Sequence, residues 1–302
     1  MTGPPAPLRA HLGVLPGSVR TLKDMPGENA SWLVQTATGE RLVLRRYHAG
    51  STPEDLAYEH TVLRYLAQAG WVVPEPAGDL TQHDGAQYCL TRFVPGQAIR
   101  PEPVRQRRRR GRDLARLHVA LRELGGQIGQ RPGWRAQHAG VSVHTGVDWR
   151  DCVAGLHAVS PPHGAWLQAA AEHTGADLDA AGASALPLTV VHGDFAEWNV
   201  HYARGRLAGV IDFGLTHLDS RPYELAIART YRAPEAAAAY GAEAARLGWP
   251  LTELERAAAG PVYHAFRLDM AVWAVHYGLR AGRLDLAAVE RQLARTGTPP
   301  PA

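Results

Sequence analysis

The sequence predicts an α+β chain in two lobes, a small β-rich N-terminal lobe and a larger, mostly helical C-terminal lobe. Three observations predict it. Strand-like runs crowd the first 94 residues, a Pro95-Gly96 turn interrupts them, and beyond it apolar residues recur at helical spacing. The lobes are accordingly drawn at residues 1–94 and 95–302.

In the first lobe, Trp32 to Gln35 and Arg41 to Tyr47 read as strands joined at Thr38-Gly39-Glu40, a hairpin. A helix follows with a clear start. Thr52 is a candidate N-cap, Pro53 suits the first helical position, and Glu54 and Asp55 suit the positive helix end. Leu56, Leu63 and Leu66 fall on one stripe with Glu59, and Gly70 stops the helix. Gln87 to Val94 is a further strand. In the second lobe, Leu114, Leu117, Leu121 and Leu124 mark a helix that begins at Arg105, and residues 127–147, rich in Gly, His and Pro, read as a loop. Helices resume at Trp149, Leu188 to Val191 is a short buried strand, and the chain from Arg221 is mostly helix with a break near Gly248-Trp249-Pro250.

Composition narrows the function classes. A hydrophobic share of 45% and a charged share of 20% are those of a globular protein that buries its core without cross-links. The two cysteines, Cys89 and Cys152, have no metal-ligand spacing and suit a reducing compartment. With no signal-peptide pattern and no apolar run near the roughly 18 residues of a membrane span, a cytoplasmic protein without a membrane partner is expected. Net charge is +3, and Lys23 is the only lysine, so cations on strands must be arginine. Six arginines lie between Arg105 and Arg112 without interleaved aromatics, which fits a solvated helix face and argues against nucleic acid.

The chemistry concentrates in one segment. The strand ending at Val191 delivers His192-Gly193-Asp194, and Asn199 follows five residues after Asp194. A short hairpin from Val200 to Ile211 then returns the chain, so that Asp212 is expected beside Asn199. Two carboxylates and a carboxamide suit phosphoryl transfer: one carboxylate accepts the proton of an attacking hydroxyl, and hard oxygen donors hold Mg²⁺ against nucleotide phosphates. The spacing matches the catalytic loop and metal ligands of protein kinases.

On these residues the chain resembles the aminoglycoside phosphotransferase and choline kinase family, whose loop reads H-G-D-x4-N. The resemblance implies the two-lobed protein-kinase-like fold, with Asp194 as catalytic base, Asn199 and Asp212 as Mg²⁺ ligands and His192 as support of the loop. It also implies a nucleotide site in the N-lobe. Gly27, Asn29 and Ser31 are candidates for the loop over the phosphates. The third strand offers Arg45 and Arg46 where protein kinases carry lysine. Arg45 is preferred because Val43, two residues earlier, would then floor the adenine pocket. Glu59 is its expected helix partner, and Thr91 and Phe93 belong to the strand expected to meet adenine. After Asp212, Tyr223-Glu224-Leu225-Ala226 opens a helix where the family has Asp-Leu-Ala, at a position that supports the loop.

The resulting expectation is an ATP- and Mg²⁺-dependent transfer, with GTP as an alternative donor, to a hydroxyl of a small molecule. Asp219, His264, Asp269, Trp273 and Tyr277 are the candidates for binding that acceptor. The main expectation for it is an aminoglycoside-like, nucleoside or sugar-bearing antibiotic. A homoserine-, choline- or sugar-like metabolite is the alternative, and a non-catalytic nucleotide-binding pseudokinase a further one. Either a monomer or a homodimer is compatible with the sequence.

Overall fold

A computed structural model describes residues 3–15, 17–23, 29–230 and 233–300. Along the chain run α1 (Ala6–His11), β1 (Arg20–Lys23), β2 (Ala30–Gln35), β3 (Arg41–Arg46), α2 (Pro53–Gln68), β4 (Thr81–His83) and β5 (Ala86–Arg92). Next come α3 (Val104–Leu121), α4 (Gly125–Ile128), α5 (Trp149–Val159), α6 (Pro161–Ala180), β6 (Leu188–Val191), β7 (Val200–Ala203) and β8 (Arg206–Val210). The chain ends with β9 (His217–Ser220), α7 (Arg221–Thr230), α8 (Pro234–Arg246), α9 (Glu253–Arg280) and α10 (Leu286–Leu293). It divides into two compact units, one of Met1–Pro101 with Glu197–Gly214, the other of Glu102–Ala196 with Leu215–Ala302.

In the first unit, five antiparallel strands run in the order β1-β2-β3-β5-β4. Period-two alternation sorts their side chains. Trp32, Val34, Leu42, Leu44, Tyr88 and Leu90 share one face and form a core with Leu8 and Val14. The opposite face carries Ser31, Val43, Arg45, Cys89 and Thr91, because Ser31 pairs with Arg45, Arg45 with Cys89 and Val43 with Thr91. Helix α2 forms as its caps predict: Thr52 accepts from the Asp55 N–H at 3.2 Å, and Leu56, Glu59, Leu63 and Leu66 are all buried. The β7–β8 hairpin belongs to this unit and pairs Val200 with Val210.

The second unit is helical around a two-stranded sheet of β6 and β9. Val191 pairs with His217 and Thr189 with Asp219. One core gathers Val191, Tyr223, Ile227, Val262 and Phe266, and another gathers Leu156, Leu167, Leu268, Val272 and Leu293. Gly125 and Gly126 do not simply stop α3. They open the short helix α4 against β6 and β9, where a Cβ on Gly125 would meet the Leu218 side chain at 2.9 Å. No described helix is long and apolar enough to cross a membrane.

Candidate functional site

In the first unit, the sheet face that bears Val43 and Arg45 opens onto a cavity of about 270 Å³. Leu22, Val43, Pro74, Phe93, Val94 and Ile211 supply apolar walls, while Asn29, Ser31, Arg45, Thr91 and Asp212 supply polar ones. Arg45 is buried, and its Nη1 donates to Glu59 Oε1 at 2.9 Å while Nη2 lies 3.5 Å from Asp212 Oδ1. Burial alone would lower its pKa. The facing Glu59, Tyr47 and Asp212 more than offset that and raise its pKa, so the charge is fixed at this end of the cavity. Arg46 instead sits on the other face, its guanidinium 5.9 Å from the Trp32 ring. The preference for Arg45 as the cation facing the cavity therefore agrees with the register of β3.

Asn29 Oδ1 accepts from the His48 N–H at 2.7 Å, which fixes the start of β2 beside the cavity. Gly27 lies outside the described residues. At the hairpin, the Ile211 N–H donates to the Asn199 carbonyl at 2.9 Å, so pairing brings the chain at Asn199 back beside Ile211 and Asp212. Asn199 is buried, whereas the Asp212 side chain is 45% exposed. Asp212 has φ of 63°, a left-handed conformation that costs a non-glycine residue on the order of 1–3 kcal/mol. Such strain, retained at a carboxylate that faces a cavity, is a mark of functional placement. Carboxylate and carboxamide oxygens are hard donors that suit Mg²⁺, which fills its remaining positions with phosphate oxygens and water. Among the described residues no group of three His, Cys, Asp or Glu side chains could hold a metal alone.

In the second unit, β6 ends in the loop that carries Asp194. The loop is held by its backbone. Glu224 on α7 accepts from the N–H groups of His192 at 2.6 Å, Gly193 at 3.0 Å and Phe195 at 3.2 Å. Burial opposes the ionisation of Glu224, but His118, His192 and the Gly193 N–H outweigh it and lower the pKa. His118 lies 3.8 Å from that carboxylate through Nε2, and its Nδ1 is 2.9 Å from the Tyr240 hydroxyl. From the other side, Arg110 donates to the Phe195 carbonyl at 2.8 Å and forks onto Glu102 at 3.0 and 3.1 Å. His192 is buried, and its Nδ1 accepts from the Asp194 N–H at 3.1 Å. Gly193 has φ of 83°, and a Cβ there would meet the Leu215 carbonyl oxygen at 2.2 Å, so the middle position of His-Gly-Asp admits only glycine.

The acceptor candidates differ in setting. Asp219 is buried and satisfied, accepting from the Gln137 N–H at 2.7 Å and the Ser220 N–H at 2.6 Å. Asp269 is also buried; burial pushes its carboxyl up to about 7, with Asp219 adding to the shift against Ser142, the Val143 N–H and Arg135. Trp273 stacks with His144 at 4.4 Å and with the half-exposed Tyr277 at 4.9 Å. His264 lies apart from them, its ring against Gly297. Sequence reasoning missed Arg110, His118, His144, Trp134 and His217. Arg110 did carry a signal, since it stands four residues before Leu114 and seven before Leu117, on the apolar stripe of α3.

The profile of the phosphotransferase enzyme family matches residues 24–259. A homoserine kinase of Phenylobacterium zucineum is 28% identical over 90% of this chain and 86% of its own length. A homoserine kinase of a Caulobacter strain is 30% identical over 66% of this chain, which spans 60% of that relative. Among solved structures, an amicoumacin kinase in complex with AMP-PNP, Ca²⁺ and its antibiotic superposes with a TM-score of 0.68 at 14% identity, covering 96% of this chain and 93% of that one. That likeness shows the fold, which is kinase-like as expected. The chain thus belongs to the phosphotransferase enzyme family and is a small-molecule kinase.

Proposed function

We propose that the chain is an ATP- and Mg²⁺-dependent kinase that phosphorylates the hydroxyl of a small amino-acid metabolite of the homoserine type. The observation that supports the reaction is the loop His192 to Phe195, whose backbone is held by Glu224 and Arg110 around Asp194. The relatives named homoserine kinase favour the metabolic acceptor over the antibiotic first expected.

Asp194 orients the acceptor hydroxyl and takes its proton. The new bond joins that oxygen to the γ-phosphorus, the bond from phosphorus to the β,γ-bridging oxygen breaks, and ADP carries away the electron pair. Arg45 neutralises phosphate charge at the end of the cavity, and the apolar walls around Val43 and Phe93 take the base. Asn199 and Asp212 would hold Mg²⁺, which supplies charge neutralisation at the phosphates.

Acceptor-dependent ADP release across L-homoserine, choline, sugars and a panel of aminoglycoside and nucleoside antibiotics tests the reading. L-Homoserine is expected to give the highest kcat/KM, and Asp194→Ala to lower kcat by about 10²- to 10⁴-fold. Preferential turnover of an antibiotic would reverse the choice of acceptor, and full activity in Asp194→Ala would remove the mechanism.

A further inference from the structure

The segment between Arg131 and Arg150 encloses a second cavity, of about 480 Å³, within the helical unit. Arg135 and Arg150 stand on its wall with Ser142, Thr145 and Asp148. Arg135 packs against Gly140, where a Cβ would meet its Cδ and Nη1 at 2.9 Å. Its Nη2 donates to the His144 carbonyl at 3.2 Å, while its Nε is buried without an acceptor.

The charge of this pair is unmatched. Elsewhere in the unit Arg110 meets Glu102, Arg116 meets Asp113 and Glu243, and Arg221 meets Glu255. Among the described residues no carboxylate lies within 4.0 Å of a nitrogen of Arg135 or Arg150. Asp148 spends Oδ1 on the Arg150 N–H at 2.8 Å as the cap of α5. The carboxylate that does face Arg135, Asp269, is only partly ionised near neutral pH. A half-buried guanidinium with an orphaned Nε, near an exposed one that lies over the Trp149 ring, suits an anion with two oxygens.

We propose that Arg135 and Arg150 bind the α-carboxylate of the acceptor, making them the residues that select an amino-acid alcohol over a plain amino alcohol. The inference rests on the function proposed above. The cavity is tied to the strand pair that bears the base. Arg131 Nη1 donates to the Thr216 carbonyl at 2.8 Å, the Gln137 N–H donates to Asp219 at 2.7 Å, and β9 pairs directly with β6. A carboxylate anchored here is thereby linked, through these contacts, to the strand that ends at Asp194.

The test compares L-homoserine with 3-aminopropan-1-ol, which is the same molecule without its carboxylate. Turnover and calorimetric binding are measured on wild type, Arg135→Met, Arg135→Lys and Arg150→Gln. Wild type is expected to prefer L-homoserine. The ratio of kcat/KM for the two acceptors should fall by about 10- to 100-fold in Arg135→Met, with smaller falls in Arg150→Gln and in Arg135→Lys, which keeps the charge and loses the fork. The lysine and glutamine variants keep the question answerable should the methionine variant misfold. A ratio that stays constant while L-homoserine is still phosphorylated overturns the carboxylate site and leaves the proposed function standing. Wild type that neither binds nor phosphorylates L-homoserine overturns both, whereas binding that is lost in Arg135→Met without any turnover supports the site and overturns the function.

Discussion

The two units hold their functional groups in opposite ways. In the first, side chains hold a side chain: Glu59 and Asp212 flank Arg45, and the group at the outer end, Asp212, remains 45% exposed to the cavity. In the second, side chains hold backbone: Glu224 takes three N–H groups and Arg110 a carbonyl, and both are fully buried. On the proposed function, the difference follows from what each must present. A polyphosphate needs a cation that can shift its balance from protein carboxylates to phosphate oxygens. A base needs a fixed position, and a loop becomes rigid most economically when its peptide groups are taken by charged partners that water cannot reach.

The sharpest way to break this contrast is Glu224→Ala. It strands three buried N–H donors together and unpairs His118, so a loss of about 3–5 kcal/mol is expected in chemical denaturation. Glu224→Gln, which keeps an acceptor oxygen, should lose less and retain part of kcat. If Glu224→Ala denatures at the wild-type midpoint, the loop is held by something other than this carboxylate.

The second unit also contains a charge that its burial works against, and pH should reveal it. The Asp269 carboxyl has a folded pKa of about 7 against an ordinary 3.8. Between those values the folded state binds more proton than the unfolded state, so this group's contribution is fully present below the unfolded pKa. It is lost as pH rises toward 7. Asp269→Asn removes the dependence, and a gain on the order of 2 kcal/mol over wild type is expected at pH 8, shrinking toward zero near pH 4. A thermal-denaturation series from pH 4 to 8 checks it. Equal slopes in the two proteins would mean that Asp269 ionises freely.

The same contrast explains what was legible in the sequence. The motif from His192 to Asp212 could be read because its members stand at fixed spacing, and helix α2 because Thr52, Pro53 and the leucine stripe are each local signals. Strand β9 could not, since His-Leu-Asp-Ser has no strand pattern. It is buried where it pairs with β6 and where Gln130 and Gln137, some 80 residues earlier, satisfy Leu218 and Asp219. Arg110 was masked by the five arginines around it, although its stripe differs from theirs. The acceptor residues were the least legible of all. Of the five candidates, Asp219 is spent on internal hydrogen bonds, and of the arginines that line the second cavity Arg135 comes from a loop with no periodicity to read and Arg150 from the first turn of α5.

The first unit offers the smallest but most discriminating comparison, because Arg45 and Arg46 are neighbours on opposite faces of one strand. Arg45→Lys keeps a charge near Glu59, which limits the structural cost, but a single ammonium cannot fork between Glu59 and a ligand phosphate as the guanidinium can. The KM for ATP should rise by about 10-fold, equivalent to roughly 1.4 kcal/mol, with a shift in melting temperature of no more than a few degrees. Arg46→Lys changes a group whose guanidinium lies 5.9 Å from the Trp32 ring on the face away from the cavity, and stability should move by less than about 0.5 kcal/mol with KM for ATP unaltered. Steady-state kinetics on the two variants, with melting curves for both, separates them. A larger rise in KM from Arg46→Lys than from Arg45→Lys would mean that the strand presents its other face to the nucleotide, contrary to the pairing of Arg45 with Ser31 and Cys89.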